Sequence, residues 1–240
     1  MGVVIRKGAT PHDIFADIRT TLANATAKGG KWLQYAEERL AAVAASIESI
    51  EARVGEAERS VLPLQATVDS AKEEADNALG RVSDEIWNAV GRPRTDASLA
   101  MLFPGGIAYY ARGPMQDQPA RMDLLATLLE SGTHPRIPAE QAATHATTVR
   151  ASAAVLRGAL DAVSGPRAQR ELLERVRRTV ANTAQLELAN LKRVYKSAHQ
   201  SEAEIHAVIP DRPTPPKRGA APTPPVPTNG VTPPEARVGA

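Results

Sequence analysis

The chain has 240 residues, enough for one or two domains and a sizeable core, yet only 3% of them are aromatic and the net charge is +2. It has no cysteine, which excludes disulfides and thiolate metal sites, and it nearly lacks the β-branched and aromatic alternation that marks strands. Charge is segregated: residues 31–91 hold six Lys/Arg and twelve Asp/Glu, a balance of −6, whereas residues 136–209 hold eleven and seven, a balance of +4. The pattern points to oppositely charged arms lying against each other rather than to nucleic acid, because no basic cluster is interleaved with aromatics.

Residues 1–9 are expected to be irregular. The apolar part of residues 1–7 is too short for a signal peptide, and no run of 18 apolar residues occurs. A cytoplasmic location is therefore the default expectation, with leaderless export as the alternative. Thr10, Pro11 and Asp13 supply an N-cap, a first-turn proline and a first-turn acid, and predict a helix with an apolar stripe at Ile14, Phe15, Ile18 and Leu22. Gly29-Gly30 ends it. Residues 1–30 form an N-terminal segment with a helical arm.

Residues 31–91 carry the strongest pattern. Leu33, Leu40, Ile47, Val54, Val61, Val68, Ala75 and Val82 sit seven apart, and Ala36, Val43, Ile50, Ala57, Leu64, Ala71 and Ala78 form a second row three residues on. This is an a/d heptad seam, and it predicts a long helix burying a narrow apolar stripe. Pro63 interrupts it. The heptad phase passes through Pro63 without a slip and no glycine stands nearby to cap a reversal, which favours one kinked helix over a turn between two helices. Trp32 and Trp87, near the ends of the seam, are expected to plug the core. The adjacent acidic pairs Glu37-Glu38, Glu73-Glu74 and Asp84-Glu85 suit a solvated surface.

Gly91 and Pro93 stop the seam, and residues 92–137 form an irregular apolar tip. Asp96 can cap a short helix through Leu99, Met101 and Leu102, and a further helix fits residues 120–130. Between them Phe103, Pro104, Gly105, Gly106, Ile107, Tyr109 and Tyr110 gather three of the eight aromatic residues around a Pro-Gly-Gly turn. This is either an apolar cap on the bundle or an exposed surface for a protein partner or a membrane.

A third long helical region begins after Pro138. Ala142, Ala146, Val149, Ala153, Leu156, Leu160 and Val163 keep 4-3 spacing, and Ser164-Gly165-Pro166 is expected to break it. Beyond it the stripe moves to Leu172, Leu173, Val176, Val180, Ala184, Leu188, Leu191, Tyr195, Ala198 and Ile205, with Pro210 as terminator. The matched positions of Pro63 and Gly165 suit two kinked antiparallel arms, 31–91 and 138–209, or a four-helix bundle of shorter helices. Residues 210–240 contain ten prolines and no apolar period, and predict a disordered tail. In it Pro213, Pro216 and Arg218 match a basic PxxP docking pattern.

The fold class expected is an all-α elongated antiparallel bundle. No phosphate-loop, dinucleotide, zincin or serine-hydrolase motif is present, so no enzyme activity, cofactor or small-molecule substrate is expected. His199, Glu202 and His206 could share one helix face and are weak candidates for a metal, with no second carboxylate–histidine copy to complete a site. Arg170, Arg175, Arg177 and Arg178 are expected to pair with the acidic arm. The leading expectation is a non-catalytic structural or adaptor protein that binds protein partners or a second copy of itself. The alternative is a membrane-active protein using residues 99–110, which resembles helical pore-forming toxins in architecture only.

Overall fold

The computed structural model describes residues 8–210; 84% of those residues are helical, with no strand among them. Helix α1 (Pro11–Lys28) begins as its sequence dictates: the Thr10 hydroxyl accepts from the Asp13 amide at 3.2 Å, and the Asp13 carboxylate returns the bond to Thr10. Gly29, at φ 68°, reverses the chain into α2 (Gly30–Ala89), 60 residues and about 90 Å long. After the tip come α3 (Ala97–Leu102), α4 (Ala108–Ala111), a short 3₁₀ turn and α5 (Gln118–Glu130). Helix α6 (Ala139–Ser197) then runs back antiparallel to α2, and α7 (Glu202–Val208) closes the described chain.

The predicted seam is the contact between α2 and α6. Of its fifteen positions on α2 all are buried except Leu33, Val43 and Leu64, which are half-buried. Ala142, Ala146, Val149, Ala153, Leu156 and Val163 face it from α6. The many alanines on both sides let the two backbones approach closely. Helix α2 is continuous through Pro63, so the arm is one helix rather than two.

The core divides at mid-length. At the tip end, Val61 to Ile86 of α2 and Ala146 to Val163 of α6 pack with α3, α4 and α5. At the other end, Ala36 to Ala57 of α2 and Leu173 to Tyr195 of α6 pack with α1 and α7. Each end is thus a bundle built on the same two long helices, with a different set of shorter helices completing it.

Four sequence expectations need correction. Ser164-Gly165-Pro166 does not break α6: the helix continues through Pro166, because the packing of α2 along both halves holds the register of the two arms. Past this point Leu172 and Val176 do not lie in the seam. They are 59% and 39% exposed, and Ala181 takes the buried place instead. The arm stops at Ser197, not at Pro210. His199 adopts φ 59° in a turn, after which the Ser201–Glu204 capping box starts α7. Finally, of the four arginines expected to pair with the acidic arm, only Arg177 is seen to do so among the described residues. Arg177 reaches Glu51 at 2.5 and 3.0 Å, and Arg39 lies 3.9 Å from Glu187, but Arg150 and Arg157 pair with Glu130 and Asp123 of α5 instead. Arg170, Arg175 and Arg178 are exposed. The expected tail with Pro213, Pro216 and Arg218 lies outside the described residues.

Candidate functional site at the tip

The tip is built by two devices. The first is the stop of α2, where Gly91 (φ 84°) and Arg92 (φ 53°) take left-handed backbone and turn the chain. The second is Asp96, whose Oδ1 accepts from the Ser98 and Leu99 amides at 2.8 and 3.1 Å and starts α3. Arg136, from the loop before α6, ties both together: it bonds the Asp96 carboxylate and donates to the Val90 carbonyl at 3.1 Å. His134 is buried beside them, its Nε2 3.4 Å from Asp96 Oδ1. The Leu99 amide first, then Arg136, the Ser98 amide and His134, hold the Asp96 carboxyl below the usual carboxylate range against the opposing effect of burial. Sequence reasoning placed Asp96 correctly and missed Arg136 and His134. Their partners are 40 and 38 positions away, and no local pattern carries such a pairing.

The seven residues of the predicted tip separate into two groups. Phe103 and Tyr110 belong to the core. Tyr110 is fully buried, donates from its hydroxyl to the Leu102 carbonyl at 2.5 Å, and meets Phe103 edge-on at 6.0 Å. Burial, with Tyr109 adding to it, pushes the Tyr110 hydroxyl up to about 12. Ile107 is half-buried against the same cluster. Pro104, Gly105 and Gly106 are exposed at the turn, and Tyr109 is 43% exposed. The large apolar side chains that residues 92–137 leave exposed are therefore Met101, Leu124 and Tyr109, at 57%, 44% and 43%, rather than the whole cluster.

Trp87 does not plug the core. It is 44% exposed, with Arg92 lying 5.5 Å from its ring. Between it and α3 opens a cleft of about 650 Å³, lined by Asp84, Trp87, Pro93, Arg94, Leu99 and Phe103 among others. The volume falls in the range of pockets that take small molecules or short peptides. Trp32, at the far end of α2, is the better plug: it is half-buried, 4.4 Å from the Tyr195 ring, and its carbonyl accepts the Tyr195 hydroxyl at 2.8 Å.

The weak metal candidates are not arranged as the sequence suggested. His199 sits in the turn between α6 and α7, so the three residues do not share one helix face. Glu202 lies 3.4 Å from Lys192, 3.1 Å from Lys196 and 3.4 Å from His206. It clamps α7 onto the end of α6. Among the described residues no group of three His, Cys, Asp or Glu side chains could hold a metal ion. No described helix is long and apolar enough to cross a membrane.

Comparison with family models, with curated proteins and with solved structures yields no match for this chain. The fold defines an all-α protein in which one antiparallel helix pair carries a different helical cap at each end.

Proposed function

We propose that the chain is a non-catalytic structural or adaptor protein of the cytoplasm, which holds binding surfaces apart on a stiff helical pair. The observation that carries this reading is the pair itself: two helices of 60 and 59 residues share one seam, with separate cores at the two ends. Packing along the seam offsets the cost of ordering helices of this length, and a tip with an open cleft at one end and a chain exit at the other gives the pair two features to separate. Exposed Leu62, Leu172 and Val176 at mid-length add apolar surface along the shaft. Light scattering on the purified protein, combined with a crosslinking pull-down with and without residues 211–240, tests the proposal. A monodisperse monomer that captures no partner counts against it.

The second reading, contact of the tip with a membrane interface, is favoured by exposed Met101 and Tyr109. Liposome flotation that depends on Met101→Ser and Tyr109→Ser supports it, and absence of flotation removes it. Phe103 and Tyr110 are poor reporters, because replacing them empties the core.

A further inference from the structure

We propose that the cleft beside Trp87 docks the Pro213–Arg218 segment of a second copy of this chain, joining rods head to tail; this rests on the assembly reading above and names its contact. The cleft has the chemistry that an extended proline-rich strand requires. Trp87, Pro93, Leu99 and Phe103 give an apolar, partly aromatic floor, and Trp87 keeps 44% of its surface open. Extended proline-rich segments dock in aromatic-lined grooves because their shape is set before binding and little conformational entropy is lost. Asp84 stands three residues before Trp87, on the same face of α2, and makes no ion pair with any described residue. It is the acceptor for a basic side chain at the end of such a strand, and Arg218 follows Pro213 and Pro216 at the spacing the pattern needs. Arg94 lines the same cleft and Arg92 lies over the Trp87 ring, so a bound strand has one favourable direction, with its arginine toward Asp84 and away from these cations.

Reach excludes docking within one copy. The described chain leaves from α7, which is fixed beside α1: Asn24 donates to the Val208 carbonyl at 3.1 Å, and Lys28 lies 3.8 Å from Glu204. Trp87 is at the opposite end of α2, about 80 Å from Trp32 at helical rise. Arg218 is eight residues beyond Pro210 and reaches at most about 30 Å even fully extended. The cleft of a copy is therefore filled from another copy. The joint is heterologous, since the surface given differs from the surface received, and it propagates into chains or rings.

The test uses full-length protein throughout. Sedimentation velocity over a concentration series is expected to show growth beyond a dimer for the wild type. Trp87→Ala, exposed Asp84→Lys, and a triple replacement of Pro213, Pro216 and Arg218 by alanine are each expected to weaken association by about tenfold or more, with helical circular dichroism unchanged. Mixing the Trp87 variant with the triple variant restores dimers and nothing longer, because one still gives a segment and the other still receives it. A synthetic peptide of residues 210–221 is expected to dissolve the wild-type assemblies. A wild type that stays monomeric overturns the inference and leaves an adaptor that binds other proteins. Assembly unchanged in all three variants overturns the inference alone and leaves self-assembly through another surface. If Trp87→Ala loses helicity, the Asp84→Lys variant decides.

Discussion

Pro63 and Pro166 stand level with each other on opposite arms. Arg167, beside Pro166, bonds Gln65, two residues past Pro63, across the helix pair. Neither proline can donate a backbone hydrogen bond, so the carbonyls of Arg59 and Ala162 lose their helical partners at one height of the rod. The same height separates the two core clusters: buried α2 residues pass from Ala57 to Val61, and buried α6 residues from Leu173 to Val163. Both helices thus lack one backbone hydrogen bond at the same height, where the two core clusters meet.

Relief of this defect is expected to stabilise the protein. Pro63 is exposed, so Pro63→Ala restores a donor without emptying the core, and the expected gain is about 1–3 kcal/mol. Gly165 is helical and an added Cβ would meet open space, so Gly165→Ala is expected to add about 0.5–1 kcal/mol. Urea unfolding monitored by circular dichroism measures both. Loss of stability in Pro63→Ala would show that the helix pair depends on the proline's geometry.

Burial separates two leucines of α2. Leu79 is fully buried in the tip-end core, and Leu79→Ala is expected to cost about 2–5 kcal/mol. Leu62 is 68% exposed, and Leu62→Ala is expected to stay within about 0.5 kcal/mol. Equal effects in thermal unfolding would contradict the packing described.

Acid is expected to loosen both ends. The Asp96 carboxyl is held low chiefly by the Leu99 amide, Glu202 chiefly by Lys196, and Glu204 chiefly by Ser201. A carboxyl that is more acidic in the folded protein contributes its stability above the ordinary carboxylate range, near pH 4, and loses it as pH falls through the lower folded value. Trp87 fluorescence should therefore change below about pH 4, and Asp96→Ala should flatten that change. A wild-type profile unaltered by the substitution would remove Asp96 from the account.

Alkali is expected to act through two tyrosines. Burial pushes Tyr110 and Tyr195 up to about 12. Groups that keep their proton longer in the folded state lend full stability below the ordinary tyrosine value, near pH 10, and lose it as pH rises through about 12. Absorbance of tyrosinate near 295 nm should show a late component that shrinks in Tyr195→Phe. If that component is unchanged, Tyr195 is more open than its packing against Trp32 implies.

The seam, the Thr10 and Asp96 caps and the antiparallel course of two long arms were legible in the sequence, because heptad spacing and capping are local properties that recur at fixed offsets. The same local reasoning failed at Gly165-Pro166. There the intrinsic preference to stop was overridden by contact with α2 on both sides of the break, a sum of small terms spread along the helix. It also failed at Trp87, and it left Phe103 and Tyr110 open between an apolar cap and an exposed surface. Composition marks them as apolar without saying which turns inward; that choice is made by the packing of α3, α4 and α5 on the end of the long pair. The pairing of Asp96 with Arg136 and the open face of Trp87 come from elements distant in sequence. By itself, then, the sequence determined an elongated antiparallel all-α bundle, and left two long arms and four shorter helices as alternatives. Only the tertiary structure decided that each arm is one helix and which side chains the tip keeps exposed, because burial depends on neighbours distant in sequence.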